Sequence, residues 1–199
     1  MNDRPPRRGA MRGVRGARCI RCRVRLCCCV CDVLPELTPP SPIHFIVDRV
    51  EERRTTNTGY MAKVALGAQW HVGPPARVPD GALLLFPGGS RRLTPEDRGR
   101  PLIVVDGTWR RAKQYARRPP LLDLPLVTVD VSEPSRYRLR EGRRPGRLCT
   151  LEALARALGD LGDAVAEEAL MDVLDVFTVR IQELRAGRAP MLAPTMSPP

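Results

Sequence analysis

The chain has 199 residues, 43% of them hydrophobic, with a formal net charge of +11 and a pI near 10.2. That length suits one domain with a sizeable core, and the apolar content excludes a wholly disordered chain. The basic excess points to a polyanionic partner, either nucleic acid or an anionic membrane surface.

All basic residues but Lys63 and Lys113 are Arg, which suits bidentate phosphate contacts and stacking on bases. A GC-rich coding sequence also favours Arg over Lys, but it leaves the net excess unexplained. No stretch approaches the ~18–20 apolar residues of a membrane span.

Residues 1–18 read as a flexible basic arm. They have no apolar core of the kind a secretory signal needs, and Pro5, Pro6 and several glycines break any amphipathic transit helix. A cytoplasmic protein is expected. Residues 19–34 form a Cys-rich segment holding six of the seven cysteines. Cysteines crowded into so short a stretch cannot readily pair with one another, so this is not a disulfide framework. Cys19-x-x-Cys22 is a half-site for tetrahedral zinc, because two intervening residues let both thiolates reach one ion from a tight turn. For the second half, spacing leaves both Cys28-x-x-Cys31 and Cys29-x-Cys31 open. A reduced, metal-free cluster or a redox-active pair is the alternative to zinc.

Residues 35–185 alternate strand and helix patterns. Ile43–Val47 reads as a strand, and Asn57 or Thr58 caps a helix running to about Ala68. Ala82–Phe86 is a strand stopped by Pro87-Gly88-Gly89. Leu102–Val105 is the next strand, and Thr108–Ala116 is a helix ending before Pro119-Pro120. Leu126–Val131 is a further strand. Thr150 caps a helix with Leu151, Leu154, Ala155 and Leu158 on its apolar face. Leu170, Leu174, Phe177, Ile181 and Leu184 make a helical stripe. Residues 186–199, rich in Pro and Ala, read as a disordered tail. Short apolar strands separated by helices imply an α/β fold, a mainly parallel sheet with helices on both faces.

Asp106-Gly107-Thr108-Trp109 sits where a buried strand turns into a helix. Ligands collect at such turns, outside the carboxyl ends of strands. The carboxylate can act on a proton, or it can serve as a turn or cap residue. The indole of Trp109 can pack a flat ligand or fill core. If their strands are neighbours, the loops Phe86-Pro87-Gly88, Asp106–Trp109 and Leu148–Glu152 meet at one sheet edge. Ser135-Arg136-Tyr137-Arg138-Leu139-Arg140, with Arg143, Arg144 and Arg147, can place guanidinium groups along phosphates and an aromatic against a base, or can be a solvated basic loop. His44 reads as a strand residue and His71 as loop, without metal-ligand or triad spacing. P-loop, G-x-S-x-G and H-E-x-x-H motifs are absent, which argues against the common NTPase, α/β-hydrolase and zinc-protease readings.

Asp106-Gly107-Thr108-Trp109 resembles the D-x-T-W signature of the DTW-domain proteins. Four other segments match in the same order: Cys19-x-x-Cys22 with Cys29-x-Cys31; Asn57-Thr58-Gly59; Leu85-Phe86-Pro87-Gly88; and Ser135–Arg140 with Leu148-Cys149-Thr150-Leu151-Glu152-Ala153. The resemblance runs from about Cys19 to Leu184. It departs from the family at Asp48-Arg49-Val50-Glu51-Glu52, where a His usually accompanies a Glu.

The resemblance implies a tRNA-uridine aminocarboxypropyltransferase related in fold to the SPOUT RNA methyltransferases, with a C-terminal trefoil knot around the S-adenosylmethionine pocket. It implies Cys19, Cys22, Cys29 and Cys31 as zinc ligands, with Cys28 as the competing ligand. It places Phe86, Pro87, Gly88, Asp106, Leu148, Cys149, Thr150 and Glu152 at S-adenosylmethionine. Asn57, Thr58, Ser135, Arg136, Tyr137, Arg138 and Arg140 fall at the RNA substrate. Asp106, Thr108 and Trp109 are expected at the chemistry, with Asp106 as candidate general base. Partners are then tRNA and no membrane. The basic arm and the Arg loop are expected to carry much of the tRNA affinity. A SPOUT-like RNA methyltransferase and a non-catalytic zinc-containing RNA-binding protein are the alternative readings.

Overall fold

The structure is a computed structural model, which describes residues 17–139 and 147–188. Its centre is a six-stranded, all-parallel sheet. The strands are β1 (Ile43–Val47), β2 (Gln69–Val72), β3 (Leu83–Leu85), β4 (Arg91–Arg92), β5 (Leu102–Asp106) and β6 (Leu126–Thr128), in the order β2-β1-β5-β3-β6-β4. The helices are α1 (Arg49–Glu52), α2 (Thr58–Ala65), α3 (Trp109–Ala116), α4 (Thr150–Asp160) and α5 (Ala164–Arg185).

Strand alternation divides the core in two. Ile43, Phe45 and Val47 of β1, with Leu83 and Leu85 of β3 and Leu102 and Val104 of β5, face α2, α4 and α5. Ile46, Leu84 and Ile103 point the other way, against Leu121 and the Tyr115–Ala116 end of α3. The central strands therefore have apolar residues at successive positions, as a sheet covered on both faces requires. Helices do lie on both faces, and unequally: three on the first, one short helix and loops on the second.

The Cys-rich segment does not hang from the domain. Cys22, Val24, Cys28 and Val30 are buried within the larger core cluster. Arg180 of α5 grips the segment through Asp32, at 2.6 and 2.7 Å, and through the Cys29 carbonyl. The segment thus has a packed interface of its own.

Several boundaries differ from the sequence reading. His71 lies in strand β2, not in a loop. That edge strand has only four residues, mixed in polarity, so it carries no clear alternation, and the helix expected to reach Ala68 ends at Ala65. β4 is two exposed arginines, with no apolar pattern to read. Strand β6 stops at Thr128, short of Val131. Helix α4 is capped by Cys149, whose Sγ accepts from the Glu152 amide, and Thr150 is its first residue. No described helix is long and apolar enough to cross a membrane. Residues 1–16, 140–146 and 189–199 lie outside the described residues, and with them most of the basic arm, Arg140 and nearly all of the tail.

Candidate active site and metal centre

β1, β5, β3 and β6 run side by side, so their carboxyl ends open onto one edge. The chain leaves β1 toward β2 on one side, whereas β3 and β6 lie on the other, beyond β5. Such a reversal of strand order leaves a crevice for a ligand. A cleft does open there, between the three loops expected to converge. Phe86 and Pro87, Asp106, Gly107 and Trp109, and Leu148, Cys149 and Thr150 all line it.

Asp106 is the last residue of β5 and is 3% exposed. Its Oδ2 accepts from Asn57 Nδ2 at 2.7 Å, and its Oδ1 accepts from Thr150 Oγ1 at 2.6 Å. One carboxylate thereby joins the end of β5 to the N-termini of α2 and α4. Asn57 does more: its Oδ1 caps α2 through the Tyr60 amide, and its Nδ2 also donates to the Glu51 carbonyl. The segment 51–57 and the carboxylate are thus located by one amide. Asp106 is not the cap of α3. That role belongs to Thr108, which accepts from the Arg111 amide and does not line the cleft.

Gly59 allows this arrangement. A Cβ there would stand 2.8 Å from Asp106 Cγ and Oδ2, closer than real Cβ contacts. Gly59→Ala is therefore expected to displace the carboxylate at a cost of about 1–3 kcal/mol. A fall in melting temperature together with weakened ligand binding in the cleft would show it. Unchanged stability and binding would mean that Asp106 can shift freely. Gly107 serves the same end on the other side, where a Cβ would lie 3.2 Å from Asp48 Cβ. The close approach at this glycine is to protein, at the adjoining strand end.

Trp109 is half-buried, belongs to neither core cluster and lines the cleft. The Arg147 guanidinium lies 4.9 Å from its ring centroid, within cation–π range. Its indole is thus a wall of the cleft rather than core filling.

Glu152 is fully buried and does not line the cleft. Its carboxylate accepts from Ser135 Oγ at 2.6 Å and from the Arg136 amide at 2.8 Å. It pins the 135–137 segment to α4, which brings buried Tyr137 into the cleft wall. Two of the sequence motifs are therefore two halves of one contact. Arg136 reaches outward to Asp175, and Arg138 is exposed. Thr58 lines the cleft; Asn57, Ser135 and Gly88 do not.

Several lining residues carried no sequence signal. Thr56, Thr128, Val129 and Val131 are of this kind, and so is Glu51, which is 5% exposed and lies 3.3 Å from Arg54. Glu51 belongs to the stretch that departs from the family pattern. Its burial needed the fold to become visible, although a carboxylate shortly before Asn57 was the available hint.

The second centre is the cysteine cluster. The Sγ atoms of Cys19, Cys22, Cys29 and Cys31 all lie within 4.8 Å of one another. Cys19–Cys31 is 3.5 Å and Cys22–Cys29 is 3.7 Å. Zn–S bonds of ~2.3 Å in a tetrahedron demand sulfurs about 3.8 Å apart, so the four thiols fit. The choice between the two half-sites falls to Cys29. Cys28 points away, its Sγ donating to the Arg180 carbonyl at 3.4 Å. Burial drives the Cys22 thiol up to about 12, against the pull of the Val30 and Val24 amides, and drives Cys31 up as well. Burial also opposes ionisation of Cys19, yet the amides of Cys22 and Arg21 hold it at about 7. Backbone N–H groups aimed at sulfur are what bound thiolates require.

Residues 16–182 match the family model described as the DTW domain. The chain belongs to the DTW domain family. A solved structure also matches this DTW domain: the SAM-dependent rRNA:acp-transferase Tsr3 from Vulcanisaeta distributa, at 23% identity and a TM-score of 0.50, over 74% of this chain and 82% of that one. At that identity the likeness establishes a shared fold. Among the described residues of this DTW domain, the end of β5, the α2 cap Asn57, the first turn of α4 and the tightly packed Gly59 meet at Asp106.

Proposed function

We propose that this DTW domain transfers the 3-amino-3-carboxypropyl group of S-adenosylmethionine to N3 of a uridine in tRNA, releasing methylthioadenosine. The observation that carries the reading is the charge of the cleft. In a chain of net charge +11, the charged groups among the described residues that line it are Glu51 and Asp106, both acidic and both buried. Such a cleft suits a ligand that is itself cationic, as a sulfonium with an ammonium group is. Phe86, Leu85, Val104 and Leu148 offer apolar walls, and Thr58, Thr128 and Thr150 offer hydroxyls, the mixture a nucleoside cosubstrate needs. Family membership and the fold shared with Tsr3, a SAM-dependent rRNA:acp-transferase, support acp transfer to RNA.

When bound, S-adenosylmethionine supplies a carbon beside a sulfonium that leaves readily, so the protein's part is to orient the nucleophile and remove its proton. Asp106 takes the N3 proton of the uridine. Asn57 and Thr150 fix its two oxygens, which aims the carboxylate. Trp109 packs the flat ring. Holding N3 in line with the reacting carbon supplies a large share of the rate. N3 is occupied in a base pair, so the uridine must be unpaired or flipped. Cys19, Cys22, Cys29 and Cys31 hold zinc in a structural role, remote from the reacting atoms.

The test is product analysis after incubation of the purified protein with S-adenosylmethionine and, separately, tRNA and rRNA lacking the modification. Methylthioadenosine and an aminocarboxypropyl-uridine in the tRNA are expected. S-adenosylhomocysteine would mean a methyltransferase. Modification of rRNA alone would retain the chemistry and replace the substrate. RNA binding without S-adenosylmethionine consumption would leave a binding protein.

A further inference from the structure

Helix α3 begins at the cleft and carries an unusual charge pattern. Trp109 and Ala112 line the cleft, and Tyr115 and Ala116 pack on the second core face. The opposite stripe is Arg110, Lys113, Gln114 and Arg117, spaced i, i+3, i+4, i+7, and all four are exposed. Arg118 extends it beyond the helix, and Arg111 flanks it. α3 contains no acidic residue.

This arrangement works against the helix. Arg110 and Arg111 occupy the first turn, where the macrodipole disfavours positive charge. Arg110 with Lys113, and Lys113 with Arg117, are like-charged neighbours on one face. Of the cations, Arg111 approaches Asp48 at 3.6 Å. Arg110, Lys113, Arg117 and Arg118 make no ion pair among the described residues. A merely solvated face gains from mixed signs and i,i+4 pairs. A uniform stripe placed against its own helix fits an external polyanion.

We infer that the outer stripe of α3 is a docking strip for the phosphates of the RNA strand that delivers its base to the cleft. The inference rests on the RNA reading above and adds where the strand runs. From Arg110 to Arg117 the helix rises about 10 Å, which matches the rise of about three nucleotides of one strand. The strip starts one residue after Trp109, which walls the cleft, so a strand lying on it has its next base near the mouth. Arg side chains suit bidentate phosphate contact. An acidic protein would satisfy the charge equally well, but not the continuity with a base-sized cleft.

The test uses the full chain carrying Arg110→Gln, Lys113→Gln, Arg117→Gln and Arg118→Gln together. It is compared with Arg110→Lys, Arg117→Lys and Arg118→Lys, which keep the charge. Binding of bulk tRNA is measured across a series of KCl concentrations, and S-adenosylmethionine binding is measured by calorimetry. Each lost phosphate contact removes about 0.7–0.9 from the slope of log affinity against log salt. With about three phosphates on the strip, the Gln variant should show a slope shallower by about 2–3, with S-adenosylmethionine affinity unchanged, and the Lys variant should keep the native slope. A slope unchanged in the Gln variant overturns the strip. Competition by polyglutamate as effective as by tRNA overturns it in favour of an acidic protein partner. A slope change in a protein that transfers nothing to any RNA keeps the strip and removes the proposed reaction, so the two can fail separately.

Discussion

Asp106→Asn is expected to lower aminocarboxypropyl transfer by about 10²–10⁴, the usual contribution of a positioned general base. The substitution is nearly isosteric, and the environment accepts it. The amide oxygen can still accept from Asn57 Nδ2, and the amide nitrogen can donate to Thr150 Oγ1, which now acts as acceptor. The two contacts at 2.7 and 2.6 Å therefore survive in kind. They lose their charge-assisted part, about 1 kcal/mol of stability. The variant should fold, bind S-adenosylmethionine and RNA, and fail at the chemical step. Raising the pH should restore part of the rate, because the uridine then loses its N3 proton without help. Glu51→Gln is the informative partner, since Glu51 is the other buried carboxylate lining the cleft. If that variant shows the larger loss and the pH rescue, the base is Glu51 and Asp106 is a strut between α2, α4 and β5. If Asp106→Asn loses S-adenosylmethionine affinity while turnover of the bound complex stays normal, Asp106 is a ligand for the cosubstrate.

The fold was largely legible where burial is two-sided. Leu102–Val105 is a continuous apolar run, and Ile43–Val47 is one broken at His44, because both faces of their strands are covered, and they appear at the expected places. The edges were not legible. Gln69–Val72 and Arg91–Arg92 pair on the sheet through backbone hydrogen bonds, and their side chains carry no pattern that records it. The convergence of Phe86, Asp106 and Cys149 followed from loops after neighbouring strands and from the order of motifs. What no spacing could reveal was the division of labour among those residues. Glu152, expected at the cosubstrate, is committed to Ser135 and Arg136, because a carboxylate in the first turn of a helix also suits the amides of a crossing segment. Thr108 is spent on capping α3. Glu51 becomes part of the site through a four-residue helix too short to leave a periodic trace.

Cys22→Ser is expected to produce the largest loss of stability of the changes considered. The zinc reading assigns about one ion per chain to Cys19, Cys22, Cys29 and Cys31. Structural zinc contributes folding energy outright, up to about 10–16 kcal/mol in isolated zinc-finger peptides. The effect here should be a fraction of that, because the segment retains contacts of its own. Val24 and Val30 are buried in the main core, and Arg180 holds Asp32. Losing the ion should still cost several kcal/mol, at the large end for a single substitution, because Cys22 is 1% exposed and its thiol is one of the four that would hold the ion. Metal analysis of reduced protein should fall from about one zinc per chain to near zero, and the thermal transition should drop or split as residues 19–31 detach from α5. Cys28→Ser separates metal from packing. Its thiol is fully buried and donates to the Arg180 carbonyl, so the variant should keep its zinc and lose only about 1–2 kcal/mol for a buried polar replacement. Retention of zinc in Cys29→Ser with its loss in Cys28→Ser would move the second half-site to Cys28. Freshly prepared, reduced native protein with far less than stoichiometric zinc would sink the metal centre, and the four thiols would then be a reduced cluster held in place by the core beneath them.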